Sequence, residues 1–192
     1  SIEKHKMIEN KDCNCTEDMV GKINLAFYGY AKKTWFMSEK QRNIFLNKIR
    51  TIKKENTVIL SSIFRIGDLR FIGSIRDNEK NDKYLILNSS SWIKDTKGCV
   101  EYAKLNNLNY ELVKDLPYHE LLIKMSCSKG LIFRPLGGDT CPRIVIEAKL
   151  LGCDLMLNDN VQHRDEEWFD TDYDINLNYL KNRVNMFWRS HE

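Results

Sequence analysis

With 192 residues, 42% of them hydrophobic and 30% charged, the chain has the makeup of a globular protein with a buried core, which excludes a disordered or fibrous molecule. Its 30 basic and 27 acidic residues leave a net charge of +3, too slight an excess to single out nucleic acid as a partner. No apolar run reaches the roughly 18 residues of a transmembrane span, and the opening SIEKHKMIENKD is too polar for a signal peptide, so the expectation is a cytoplasmic protein.

The first segment carries Cys13-x-Cys15 with His5 nearby. Thiolate and imidazole are zinc ligands, but a structural zinc takes about four of them at a wider paired spacing, so no metal is expected. Cys99, Cys127, Cys141 and Cys153 are scattered, several in apolar stretches, and read as reduced, partly buried thiols, in keeping with the cytoplasm. NLAFYGYAKK predicts a helix, followed by the apolar TWFMS and then SEKQRNIFLNKIRTIKK. There Ser38 is a plausible N-cap and Phe45, Leu46 and Ile49 form an apolar stripe. The basic helix expected from Lys40 to Lys54 presents a solvated face or a contact for an anionic membrane or polyanionic acceptor. NTVILSS (56–62) reads as a further strand, and RDNEKNDK (76–83) as a surface loop or linker.

From residue 84 the pattern alternates. Strands are predicted at YLILN (84–88), YELV (110–113), GLIFR (130–134) and CDLMLN (153–158). Helices are predicted at TKGCVEYAKLNN (96–107), from Pro117 to Ser126 and from Pro142 to Leu151. Short apolar strands separated by helices mean βαβ units with right-handed crossovers, hence an α/β, Rossmann-like, doubly wound parallel sheet. Such a sheet binds its ligand at the carboxyl ends of its strands. After Phe169 the acidic DTDYD leads into a terminal helix, INLNYLKNRVNMFW.

The segment RPLGGDTCPRIVIEAKLLG (134–152) carries the chemistry. Pro142 suits a first helical turn, and the unpaired N–H groups there, with the helix dipole, favour an anion such as pyrophosphate. Gly137 and Gly138 allow close approach of backbone to a ligand. A thiol at Cys141, if exposed at that helix start, would have a lowered pKa. Glu147 stands among Ile144, Val145, Ile146, Ala148, Leu150 and Leu151, where a carboxylate needs a partner. Two readings stand: a Glu paired with a neighbouring base or opening to solvent beside Arg143, and a carboxylate that accepts ligand hydroxyls.

Asp139 and Glu147, with seven residues between them and Ala148 following, resemble the acid, seven residues, acid motif of the retaining group 1 (family 4-like) glycosyltransferases of GT-B fold. The resemblance covers residues 84 to 169 and implies a donor-binding domain in which Glu147 holds the nucleotide ribose and Asp139 faces the transferred sugar. Asp139 is shorter than the family's usual Glu. Upstream, LNSSSWIKD stands where the family has Gly-Arg and then Lys-Gly. Lys94 aligns with the diphosphate lysine, Asn88 and Ser89 replace Gly-Arg, Asp95 replaces the glycine, and Lys97-Gly98 is a competing register. Arg143 could supply the missing positive charge.

The resemblance therefore implies Lys94 and Asp139 as catalytic residues. The implied donor-binding set is Glu147, Gly138, Thr140, Cys141, Pro142, Arg143, Ser89, Asn158, Asn160 and Leu116, the last beside the base together with Tyr118. In NDNVQHRDEEWF, Asn158, Asn160 and His163 are candidate sugar contacts, or else members of a polar loop anchored by Trp168 and Phe169. It further implies a nucleoside-diphosphate sugar as substrate, no metal or other cofactor, retention of configuration, and an unknown hydroxyl acceptor such as a glycan or lipid. Residues 1–55 would be a mainly helical remnant of the acceptor domain and its crossover, and 56–192 the donor domain. A missing acceptor half, or a partner chain that replaces it, follows. Alternatives are a sugar-nucleotide epimerase or phosphorylase of the same fold, and a catalytically silent nucleotide- or partner-binding domain.

Overall fold

The computed structural model describes residues 19–189, and the chain divides into two compact units, Ser1–Leu60 and Ser61–Glu192, rather than between 55 and 56. The Cys13-x-Cys15 pair and His5 lie outside the described residues. Among the described residues no helix is long and apolar enough to cross a membrane.

In the first unit, helix α1 (Met19–Tyr30) precedes strand β1 (Thr34–Phe36), helix α2 (Glu39–Lys48), a 3₁₀ turn (Lys54–Asn56) and strand β2 (Thr57–Ile59). The two strands are parallel, with Thr34 opposite Thr57 and Phe36 opposite Ile59, so the helix between them makes a βαβ unit. Ser38 caps α2, its Oγ accepting the Gln41 N–H at 3.1 Å. The helix ends at Lys48, short of the Lys54 expected, because the β-branched Ile49, Thr51 and Ile52 follow and Ile52 turns inward to 7% exposure. Phe45 packs edge-on against both Tyr28 and Phe36, with ring centroids 5.3 Å apart in each pair. The strand expected over 56–62 is thus shorter and pairs with TWF inside this unit. A lone three-residue strand would leave its backbone groups unpaired.

The second unit holds strands β3 (Tyr84–Leu87), β4 (Tyr110–Val113), β5 (Gly130–Phe133) and β6 (Asp154–Leu157), all parallel in the order β4-β3-β5-β6. Its helices are α3 (Ile66–Ile75), α4 (Thr96–Leu105), α5 (Tyr118–Ser126), α6 (Arg143–Leu150) and α7 (Tyr173–Arg189). This is an α/β architecture with parallel strands, as the alternating pattern predicts. Strand side chains point alternately to the two faces. On one face Tyr84, Ile86 and Ile132 pack with Cys99 and Ala103 of α4. Leu85, Leu131 and Phe133 point to the other and are at most 1% exposed, so both faces are covered. Gly130 is required here: a Cβ at this position would collide with the Asp154 carbonyl oxygen on β6 and lie 2.6 Å from the Tyr84 ring.

Helix α3 has no counterpart in the sequence reading. Gly67, Gly73 and the β-branched Ile66, Ile72 and Ile75 lower its intrinsic helicity, and no side chain caps its start. Burial of Leu69 (2%) and Ile72 (0%) and packing on α5 and α6 hold it instead. The stretch 76–83, expected as a loop or linker, is an anchored connection within this unit. Lys80 Nζ donates to the carbonyls of Ser126 (3.1 Å) and Leu151 (3.0 Å), satisfying acceptors at the ends of α5 and α6. Asn81 N–H bonds Cys127 O at 2.7 Å.

Candidate functional site

The strand order runs outward in both directions from the β3/β5 pair, so the chain leaves these neighbours towards opposite edges of the sheet. A crevice at such a point, outside the carboxyl ends of the strands, is where open parallel sheets bind ligands. Three loops meet there: 88–95 after β3, 134–142 after β5 and 158–172 after β6.

Lys94 and Asp139 come together across the first two loops. Lys94 Nζ lies 2.7 Å from Asp139 Oδ2, with the side chains 29% and 16% exposed, and 4.8 Å from the centroid of the Phe133 ring. The ammonium thus has a carboxylate and an aromatic face as neighbours, a half-buried ion pair supplemented by a cation–π contact. Lys94 ends a 3₁₀ turn, Trp92–Lys94, and Asp95 then caps α4 in the left-handed region (φ 45°), accepting from Gly98 N–H at 3.1 Å. A side chain at Gly98 would collide with the Asp95 carboxylate. Gly98 is therefore committed to this cap, and Lys97 faces solvent, 89% exposed, beside Glu101. Of the two registers, the structure brings Lys94 to the crevice.

The backbone of Asp139 is held on both sides. Its N–H donates to Asn160 O at 2.8 Å and its C=O accepts from Gln162 N–H at 3.0 Å, forming a parallel bridge opposite Val161. Asn158 and Asn160, considered above as sugar contacts, spend their amides on the same clamp. Asn158 Nδ2 donates to Pro135 O at 3.0 Å, and Asn160 Nδ2 to Pro135 O (2.9 Å) and Leu136 O (3.1 Å). Loop carbonyls buried at this edge need donors, and these amides supply them. Leu136 N–H in turn reaches Ile93 O at 2.9 Å, tying the β3 loop to the β5 loop. Ser89 is likewise occupied by local turn bonds, its N–H on Thr96 Oγ1 (3.0 Å) and its Oγ accepting from Ser91 N–H (3.1 Å). Asn88 is exposed.

Pro142 is the N-cap of α6, one position before the first helical residue. Cys141 is 6% exposed, and burial pushes its thiol up to about 11, the reverse of the lowered pKa of an exposed thiol at a helix start. Its C=O accepts from Ser62 Oγ at 2.9 Å, so Cys141 contributes backbone, not a nucleophile. Gly138 and Thr140 stand half-exposed on either side of Asp139.

Glu147 is 3% exposed and accepts at Oε1 from the Tyr118 hydroxyl at 2.9 Å, with Arg143 Nη2 at 3.5 Å one helical turn back. Arg143 also approaches Asp68 Oδ2 (3.7 Å) and lies over the Phe64 ring (4.5 Å). Burial holds the Glu147 carboxyl above the usual carboxylate range, and the Tyr118 hydrogen bond and the Arg143 charge pull it back. Burial, then the adjacent Glu147 charge, drives the Tyr118 hydroxyl well above its ordinary value. The paired-Glu reading therefore describes Glu147 in this structure. Tyr118, contributed by α5, is the partner of Glu147 that local sequence could not supply, as Asp68 of α3 is for Arg143, whereas the Arg143–Glu147 pairing was legible from its i, i+4 spacing. Leu116, 38% exposed, sits in the loop before α5 beside Asp115, which has φ 53°.

His163 is fully buried, and neither ring nitrogen has a hydrogen-bond partner among the described residues. Its ring stacks on Trp168 (5.7 Å, 12°), Trp168 stacks on Tyr179 of α7 (4.3 Å, 3°), and Arg183 lies over Tyr179 (3.7 Å). Of the two readings of this loop, the aromatic anchor accounts for His163 as it stands. Among the described residues no group of three or more His, Cys, Asp or Glu is placed to hold a metal ion. What the β3 and β5 loops bring together is an ammonium and a carboxylate, a pair that suits an anionic head joined to a hydroxyl-bearing group. No protein-family model matches the chain, and no curated protein matches it in sequence.

Proposed function

We propose that the second unit is the donor-binding half of a glycosyltransferase of GT-B type, taking a nucleoside-diphosphate sugar and transferring the sugar to a hydroxyl acceptor with retention. The observation that carries this reading is the meeting of Lys94 and Asp139 at 2.7 Å in the crevice of a β4-β3-β5-β6 parallel sheet. Two residues distant in sequence, chosen for the diphosphate and the sugar, share one place. A doubly wound arrangement, with α4 on one face and α5 and α6 on the other, agrees with right-handed crossovers that leave β3 and β4 in opposite directions.

In the proposed reaction the bond between the anomeric carbon and the diphosphate oxygen breaks, a bond from that carbon to the acceptor oxygen forms, and the proton of the acceptor hydroxyl passes to the departing diphosphate. Lys94 and the backbone at the start of α6 stabilise the negative charge gathering on the departing diphosphate. Glu147 accepts a ribose hydroxyl, which takes the place of the Tyr118 hydroxyl or joins it. Titration calorimetry with UDP, GDP and ADP tests the reading directly. At least one is expected to bind, with Lys94→Ala weakening it tenfold or more. Failure of all of them to bind, together with indifference to Glu147→Ala, refutes the donor site. With a labelled nucleotide sugar, free nucleotide plus a glycosylated product indicates transfer, whereas an isomerised sugar nucleotide indicates the epimerase alternative.

A further inference from the structure

We propose that Asp139 is the resident counter-ion of the anion site at Lys94, displaced by the ligand's phosphates, and that it makes the site discriminate an intact sugar nucleotide from a bare nucleoside diphosphate. This rests on the donor-site reading given above. The Lys94 ammonium is closed on one side by Asp139 Oδ2 at 2.7 Å and approaches the Phe133 ring on another. A diphosphate that reaches this ammonium meets a carboxylate already in place, and two anions on one half-buried cation repel.

The loop itself is not free to swing away. Asp139 N–H and C=O are both bonded to the β6 loop, and Leu136 N–H to Ile93 O. Release of the ammonium is therefore a rotation of the Asp139 side chain about a fixed backbone. A carboxylate accepts hydrogen bonds and donates none, so once expelled it is stable only where donors await it. The hydroxyls of a sugar on the diphosphate are such donors. A bare nucleoside diphosphate has its hydroxyls on the ribose and none beyond its terminal phosphate, so it leaves Asp139 beside that phosphate's negative charge with no donor at that end. The same carboxylate thus favours the intact donor and opposes the spent nucleotide, returning to Lys94 as the product leaves.

The test is the affinity of UDP, GDP and ADP, each beside its glucose or mannose conjugate, for the wild type, Asp139→Asn, Asp139→Ala, Lys94→Ala and the surface control Glu79→Gln, an exposed residue in the connection before β3. In the wild type the sugar nucleotide is expected to bind about tenfold more tightly than its nucleoside diphosphate. Both Asp139 variants are expected to bind the nucleoside diphosphate about tenfold more tightly than the wild type does and to lose the preference for the conjugate, with Glu79→Gln unchanged within about twofold. If the Asp139 variants bind the nucleoside diphosphate no better while Lys94→Ala abolishes binding, the counter-ion role is overturned and the donor site stands. If tightening occurs equally in Glu79→Gln, it reflects net charge, and the proposal also fails. If no variant binds any nucleotide, the donor-site reading falls first. Asp139→Asn preserves shape, and far-UV circular dichroism of both variants guards against misfolding as the cause.

Discussion

Acidification should weaken the second unit through His163. The imidazole is fully buried, and burial lowers its pKa from 6.5 to about 4. The unfolded chain thus takes up a proton more readily than the folded one across that window. Stability is fully present above 6.5, falls as pH falls, and is lost in full below about 4. The whole difference corresponds to about 3 kcal/mol, of which about 2 kcal/mol is already gone at pH 5. Urea unfolding at intervals from pH 7.5 to 4.5, wild type against His163→Phe, isolates the contribution, since the carboxylates titrate in both proteins. Phe also removes the two ring nitrogens that have no partner among the described residues, each of which costs about 1–3 kcal/mol when buried, and keeps an aromatic face against Trp168. The variant is expected to match or exceed the wild type at pH 7 and to diverge from it progressively below pH 6.5. Parallel profiles down to pH 4.5 would refute the reasoning, because they would mean that the folded imidazole accepts its proton as easily as the unfolded one.

Three further outcomes are expected. Gly130→Ala puts a Cβ against the Asp154 carbonyl oxygen and 2.6 Å from the Tyr84 ring, so it should destabilise by about 2–3 kcal/mol in urea unfolding, and Tyr84→Leu in the same chain should recover little of the loss because the backbone clash remains. Tyr118→Phe removes the 2.9 Å hydrogen bond to Glu147 and should cost about 1–2 kcal/mol, with the folded Glu147 carboxyl rising further when followed by NMR titration. Cys141, its thiol pushed up to about 11, should resist iodoacetamide in the folded protein at pH 8, while the half-exposed Cys127 reacts before it. Peptide mapping of the labelled protein reads the order.

The sheet was legible because its signals are local. YLIL, YELV, GLIF and DLML are apolar runs of the right length, and helical stretches bounded by Pro117, Pro142 and Gly152 separate them. Helix α3 was not, since it forms against its intrinsic preferences through packing of Leu69 and Ile72. The parallel pairing of TWF with TVI was equally hidden, because pairing across the α2 crossover leaves no mark in either strand alone. Within the site, spacing and resemblance placed Lys94 and Asp139 in one crevice, yet nothing in the sequence said that they would pair with each other. Asn158 and Asn160 look like ligand contacts in a one-dimensional reading because any polar loop does. Only the positions of the Pro135 and Leu136 carbonyls reveal what their amides do.

The stitching of the three crevice loops has a kinetic consequence. Hydrogen bonds from Leu136 to Ile93, from Asp139 to Asn160 and from Gln162 to Asp139 make the rim one piece. At the proposed donor site, admission of a ligand would therefore proceed by rotamer exchange and not by the slower excursions of a lid. Association should run at the pace of encounter, leaving the residence time to be set by what holds the ligand once it has arrived.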